Sequence, residues 1–305
     1  MGETVPSSDK WSLARKIAPR FAWVAARRSH HWVRRLLTWI AVVRTIKPVA
    51  AGDRAVLRRS FLRGVGRSGS ELDVWQDPEL TEDANVLVSG IGRFHLRAFT
   101  DDLYHVLPSR EARVVSTIRA RLEPGSVFVD AGANIGFFTL LAATIVGQGG
   151  HVFAIEMMPQ TAARLREHVA ANGLRNVTVL EFALADRSGD EITATVPAGK
   201  HGQASIVRGT SGDGAQRVSV PTRTLDDLLP ADRRIDLMKM DLESAEYLAL
   251  KGAARVLTRT RAIIIEQLAG DNSAIDLLKE SGFQTLDLDG SNLLAAKPEA
   301  SAADQ

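Results

Sequence analysis

Residues 128–137 read FVDAGANIGF, and the fold turns on how that loop is read. Val127, Phe128 and Val129 form a short apolar run before it, and Phe137 to Val146 form a longer one after it. That is the pattern of a strand, a tight turn and a helix start. Such a turn sets backbone N–H groups and a helix N-terminus at the edge of a parallel sheet, where nucleotide-like ligands bind. The literal G-x-G-x-x-G match lies elsewhere, at Gly64, Gly66 and Gly69. It follows the helix-like AVLRRSFLR and precedes SELDVWQDPEL, which is no apolar helix. The motif has meaning only between a strand and a helix, so this copy is a decoy.

Working outward, apolar strands alternate with helices. Strands are expected at 126–130, 151–156, 177–182, 235–241 and 261–266, with terminal strands near 283–288 and 292–297. Helices are expected at 136–146, 160–171, 244–257 and 273–281, after a helix from Arg110 to Leu122 and an antiparallel pair, NVLVSG and RFHLRAF. Alternation of this kind predicts an α/β fold: a doubly wound, mostly parallel seven-stranded sheet with helices on both faces. The run 190–222 breaks the rhythm and reads as an inserted hairpin.

Ligands of such sheets sit beyond the carboxyl ends of the strands, at the switch point. Asp130, Glu156 and Asp241 fall at strand ends there, and the loop has D-x-G-x-x-x-G spacing. A negative side chain at Asp130 repels a pyrophosphate but suits a cation. S-adenosylmethionine has a sulfonium, an ammonium and no phosphate. Glu156, closing the second strand, suits its ribose hydroxyls. Asp130, Gly132, Asn134, Gly136 and Glu156 are therefore the expected cofactor residues, with Ala183, just past the third strand, completing the set.

Four blocks carry a resemblance: VFVDAGANIGFFTLLAA, VFAIEMMPQTAARLREHVAANGL, VPTRTLDDLL and above all IDLMKMDLESAEYLALKGA. Together they resemble the FkbM-type S-adenosylmethionine-dependent methyltransferases, in the right order from about residue 105 to 297. The resemblance implies a class I methyltransferase fold and O-methylation of hydroxyls on sugars, glycolipids or macrolide-type metabolites. By position, Asp130, Gly132, Asn134 and Gly136 match the cofactor loop and Glu156 the ribose acid. Asp241, Glu243 and Glu246 match the acidic stretch after the fourth strand. Two positions depart: Ser244 replaces a usual glycine, and Met157 a common proline.

Methyl transfer to an alcohol is an in-line displacement that needs alignment, exclusion of water and a base. Asp241 and Glu243 are the expected catalytic residues, and His201 on the inserted hairpin is a third candidate base. Lys239 alternates with Asp241 and reads as its neutralising partner, while Glu266 either faces the acceptor or is solvated. A nicotinamide-dependent oxidoreductase and a non-catalytic S-adenosylmethionine-binding protein are the alternatives. Only Tyr104 and Tyr247 are present for a Tyr-Lys pair, which disfavours the first. The fourth strand ends in Asp241-Leu-Glu-Ser rather than an N/D-P-P-Y-like segment, so no nucleic-acid substrate is expected. Absence of cysteine, and seven histidines without H-x-x-H or H-E-x-x-H spacing, give no metal signature.

The 305-residue chain has ordinary hydrophobic (45%) and charged (24%) content, so it can bury a large core. Its charge is lopsided. Residues 1–67 carry fifteen Lys/Arg against Glu3, Asp9 and Asp53, a net +12 that leaves −10 for the rest of a chain totalling +2. That arm also holds Trp11, Trp23, Trp32 and Trp39 of the five tryptophans. Trp32, Leu36, Trp39 and Val43 fall at helical spacing, and the longest uncharged run, Leu36 to Val43, is far too short to span a bilayer. The readings are an interfacial helix over residues 10–47 on an anionic membrane, indoles at headgroup depth, or a helical hairpin packed on the body or a poorly ordered arm, with nucleic acid a weaker third, since a basic arm alone is electrostatically unspecific. The expected organisation is a helical arm (1–63), a linker (64–85), the methyltransferase domain (86–298) and a disordered tail (299–305). The expected location is cytoplasmic, peripheral at the inner face of the membrane, with a small-molecule or glycan acceptor.

Overall fold

The computed structural model describes residues 20–72, 76–196, 216–267 and 271–298. The chain divides into two compact units. One runs through Ser89 and includes Arg93–Arg110; the other takes Gly90–Gly92 and the chain from Glu111 onward. The boundary therefore differs from the one composition suggested, since strand 84–88 and residues 93–96 of the next strand join the first unit, and Leu72 and Leu80 of the expected linker are buried.

The first unit contains helices α1 (Arg20–Thr45), α2 (Ala51–Val65) and α3 (Asp102–His105), and strands β1 (Ile46–Pro48), β2 (Ala84–Val88) and β3 (Gly92–Leu96). The strands form a sheet in that order, with β1 antiparallel to β2. Burial of alternate residues Ala84, Val86 and Val88 gives β2 one core face. Asp53 ties the unit together: one carboxylate oxygen accepts the Ala50 N–H at the start of α2, the other the Asn85 N–H of β2. On α1 the buried stripe is Arg35, Trp39 and Val42, continued by Ile46. Trp39 meets Phe61 edge-on at 5.9 Å. Trp39 is thus not available at headgroup depth; the exposed apolar residues of α1 are Trp32, Val33, Leu37 and Val43. Gly64-Val-Gly-Arg-Ser-Gly69 closes α2 rather than linking a strand to a helix.

The second unit opens with α4 (Ala112–Arg121) and then alternates: β4 (Val127–Ala131), α5 (Phe137–Val146), β5 (His151–Ile155), α6 (Pro159–Ala171) and β6 (Val177–Leu180). Next come β7 (Ala183–Leu184), β8 (Glu191–Val196), β9 (Gln216–Arg223) and α7 (Leu225–Leu228). The last part is β10 (Leu237–Met240), α8 (Glu246–Lys251), α9 (Ala254–Thr258), β11 (Ala262–Glu266), α10 (Ser273–Glu280), β12 (Gln284–Asp287) and β13 (Asn292–Ala296). Seven strands form one sheet in the order β12-β13-β11-β10-β4-β5-β6. Neighbours are parallel except at β13, which is antiparallel to both β11 and β12. One face packs Val129, Ile155, Met240 and Ile265 against Leu250, Leu257 and Leu278 of α8, α9 and α10. The other packs Ala154 against Leu165 of α6. The strand order reverses between β4 and β10, which fixes the switch point.

The inserted segment forms a small sheet, β7-β9-β8, with β8 and β9 antiparallel. The expected helix 244–257 is two helices, because Asp226 accepts the N–H groups of Arg255 and Val256 and so starts a second one.

Candidate active site

The loop after β4 is held on both sides. Gly132 and Ala133 donate their N–H groups to the Ile155 carbonyl at 3.0 and 2.9 Å, fixing the loop to the end of β5. Gly132 has φ 85°, and a Cβ there would fall on the Asp241 carbonyl oxygen. The tight fit of loop to β10 therefore needs glycine on both conformational and steric grounds. Gly136, at φ 94°, starts α5, and a Cβ would run into Leu165. Asn134 takes positive φ as well, and its N–H donates to Glu156 Oε2 at 2.9 Å. The other Glu156 oxygen accepts the Met158 N–H at 2.8 Å.

Asp130, the penultimate residue of β4, is fully buried. Thr139 Oγ1 donates to its Oδ2 at 2.6 Å, and Oδ1 has no hydrogen-bond partner. In the parallel register Asp130 stands beside Lys239 of β10. Lys239 is 2% exposed, donates to Asp241 Oδ2 at 2.9 Å and lies 4.7 Å from the Phe138 ring centre. Burial disfavours its ammonium, but Asp241, Glu111 and Asp130 more than compensate and hold its pKa above the usual lysine value.

The acids shift upward. Burial raises Asp130 to about 6 against the opposing pull of Lys239. Burial raises Glu156 to about 7 against its two backbone N–H bonds. Glu266, at the end of β11, is raised to about 8 by burial and then by Asp241, Glu243 and Glu246. Since Met240 pairs with Ile265, Asp241 and Glu266 come next on adjacent parallel strands, about 4.8 Å apart in backbone spacing. Glu246 is raised by burial and accepts the Leu242 N–H at 2.7 Å. Between them, Glu243 and Ser244 take positive φ, 51° and 87°. Two successive non-glycine residues in that region store strain of the kind that collects at working sites.

Asp130, Gly132, Asn134, Gly136 and Glu156 are thus one constellation, with Asp241 against its loop. Ala183 is buried in β7 with Met158, Ala194 and Val220 around it. His201 lies outside the described residues. Glu266 was ambiguous in the sequence, and the structure puts it in the field of the other acids rather than in open solvent. Thr139 was missed; the signal was its position one helical turn past Gly136, where its hydroxyl reaches back to the strand end. Among the described residues no group of His, Cys, Asp and Glu is arranged to hold a metal.

Residues 130–285 match the methyltransferase FkbM domain, over half of the chain. The chain belongs to the FkbM methyltransferase family. The chain is similar to the hexuronic acid methyltransferase of Haloferax volcanii, 27% identical over 179 residues, which are 57% of this chain and 70% of that one. It is 37% identical over 75 residues to a probable cobalt-precorrin-6B C(15)-methyltransferase of Sulfolobus acidocaldarius, covering 25% of this chain and 39% of the relative. An arsenite methyltransferase of Halobacterium salinarum is 40% identical over 67 residues, 22% of this chain and 16% of that one. The chain therefore spans well under half the length of these last two relatives. Among solved structures, a precorrin-6y C5,15-methyltransferase from Geobacter metallireducens aligns over 62% of this chain and 89% of its own, with 18% identity and TM-score 0.40.

The cofactor of the methyltransferase is S-adenosylmethionine, and the site's chemistry fits it. A buried carboxylate oxygen with no partner, on Asp130, suits a cationic ligand. Glu156 keeps lone pairs beyond its two backbone bonds, enough for two ribose hydroxyls.

Proposed function

We propose that this methyltransferase acts on a hydroxyl oxygen of a sugar-type acceptor. Convergence of Asp241, Glu243 and Glu266 on the switch point, beside the cofactor loop, carries this reading. When bound, S-adenosylmethionine supplies an electrophilic methyl group. The chain's own residues do the rest. Asp130 and Glu156 hold the cofactor, and Ala183 borders it. Lys239 fixes Asp241, so that Asp241 and Glu243 orient the acceptor hydroxyl. Glu266 receives its proton as the oxygen–carbon bond forms, because an alcohol is a poor nucleophile and a base titrating near working pH is the effective one. The likeness to a hexuronic acid methyltransferase supports a sugar acceptor. Mass spectrometry of products from a panel of glycan, glycolipid and polyketide acceptors tests it. Methylation at carbon or nitrogen would overturn it, and cofactor binding without any transfer would make the chain non-catalytic. Glu266→Gln should cost about 10²–10⁴ in kcat and abolish a rise in turnover through pH 8. A rise that persists would move the base to Asp241, Glu243 or His201.

We also propose that α1 rests on the inner, anionic face of a membrane. Its outward Val33, Leu37 (59% exposed) and Val43 (67% exposed) form an apolar face. Residues 20–65 carry eleven Lys/Arg against Asp53 alone, a charge complementary to anionic lipid. None of the described helices is long and apolar enough to cross a membrane. Val33→Glu with Leu37→Glu should abolish co-sedimentation with anionic liposomes; equal sedimentation of variant and parent would refute the docking face.

A further inference from the structure

We infer that the first unit contains a binding pocket for a phosphate-type oxyanion, built on Arg35 and Trp39. Arg35 is 3% exposed, yet neither of its terminal guanidinium nitrogens has a hydrogen-bond partner. Trp39 is 1% exposed, and its indole N–H has none either. Buried polar groups are almost always hydrogen-bonded, and a guanidinium has five donors to satisfy. Here three nitrogen atoms on adjacent turns of α1, two on Arg35 and one on Trp39, are left over, and both residues line one pocket. Arg63 and Arg67 also line it, as do Asp77 and Glu79. Three guanidiniums thus face two carboxylates, and neither carboxylate bonds the terminal nitrogens of Arg35.

The local field favours an anion in the pocket. Burial lowers the pKa of Arg35, and the nearby charge of Arg67 lowers it further, with Glu71 opposing. An oxyanion between the two guanidiniums would take the free N–H groups, accept the indole N–H and cancel their repulsion. Capacity sets the size of the ligand. A cavity of about 20 Å³ is little more than the roughly 10–15 Å³ needed for one water, so it takes one oxygen of a phosphate-type group, with the rest of the group outside it, and not a nucleotide. At the mouth Arg63 lies 5.4 Å from the ring centre of exposed Phe99, a cation and an apolar ring side by side. The phosphate could be free or the headgroup of a lipid.

Thermal melts of the full chain in potassium phosphate, against chloride at matched ionic strength, test the pocket. Parallel binding assays use phosphatidylcholine vesicles with and without phosphatidate. Saturable stabilisation by inorganic phosphate, weakened about tenfold or more in Arg67→Gln and absent in Arg35→Met, identifies free phosphate as sufficient. Retention only by phosphatidate vesicles, lost in Arg67→Gln, assigns the pocket to a lipid headgroup. If neither probe binds, or Arg67→Gln responds to both as the parent does, the inference is overturned. Arg67 is only partly buried, so its variant decides the matter even if Arg35→Met does not fold.

Discussion

Two buried cations show how differently one chain can treat a positive charge. Lys239, in the sheet, is 2% exposed; Arg35, in α1, is 3% exposed. Lys239 has Asp241 at 2.9 Å, Asp130 beside it in register and an aromatic face at 4.7 Å, and its pKa is raised. Arg35 has two bare nitrogens and another arginine nearby, and its pKa is lowered. Equal burial with opposite company means that the chain completes one charge itself, whereas the other is completed from outside. Burial alone does not identify a site; the unmatched donor or acceptor does.

The strongest way to break this comparison is to remove the partner of Lys239. Asp241→Asn should lower kcat by about 10²-fold or more through lost positioning of the acceptor hydroxyl, with S-adenosylmethionine affinity changed only a few-fold, as single-turnover kinetics and calorimetry would read. Wild-type turnover in this variant would show that the Lys239–Asp241 pair is purely structural.

Next is the contrast itself. Lys239→Met removes one partner of a buried pair and should destabilise the protein by about 3 kcal/mol. Arg35→Met in phosphate-free buffer removes a charge that has no partner and should cost less than about 0.5 kcal/mol, or stabilise. Equal losses in urea melts would erase the distinction.

A third expectation concerns pH. Asp130, Glu156 and Glu266 have folded-state values of about 6, 7 and 8, above those of ordinary carboxylates. The folded chain therefore holds their protons more tightly than the unfolded chain. Their contribution is full below about pH 4 and is lost as pH rises toward 8. The Tm of the cofactor-free protein should fall between pH 5.5 and 8, and the cationic cofactor should narrow the fall. A Tm that rises over this range would contradict the burial of these acids.

The smallest effect is on cofactor binding. Asp130→Asn or Glu156→Gln should weaken S-adenosylmethionine by at least about tenfold, near 1.4 kcal/mol, by calorimetry. Unchanged affinity in both would remove the constellation's assigned role.

The sheet and the cofactor loop were legible because their signals are local: apolar strands, glycines at fixed spacing and acids at strand ends. Even the decoy at Gly64 could be dismissed from its neighbours. Three things were not legible, each for a physical reason. Helical spacing on α1 marks apolar residues but does not say which way they face, and Trp39 with Arg35 turned inward. Ser244 stands where a glycine is usual, yet it takes φ 87°, a conformation that its residue type does not announce. The boundary near residue 85 was read from composition, whereas β1–β2 pairing, a contact across forty residues, decides it.

The Asp236 carboxylate that accepts the Val127 N–H at 2.9 Å lies 109 residues further along the chain. It belongs to the segment leading into β10, the strand that completes β4 on its switch-point side. At a ribosomal pace of roughly 5–20 residues per second, that interval takes about 5–20 s. During biosynthesis the apolar strand leading into the glycine loop therefore waits with one flank unpaired, and this is the interval in which a newly made chain is most exposed to aggregation and to chaperones.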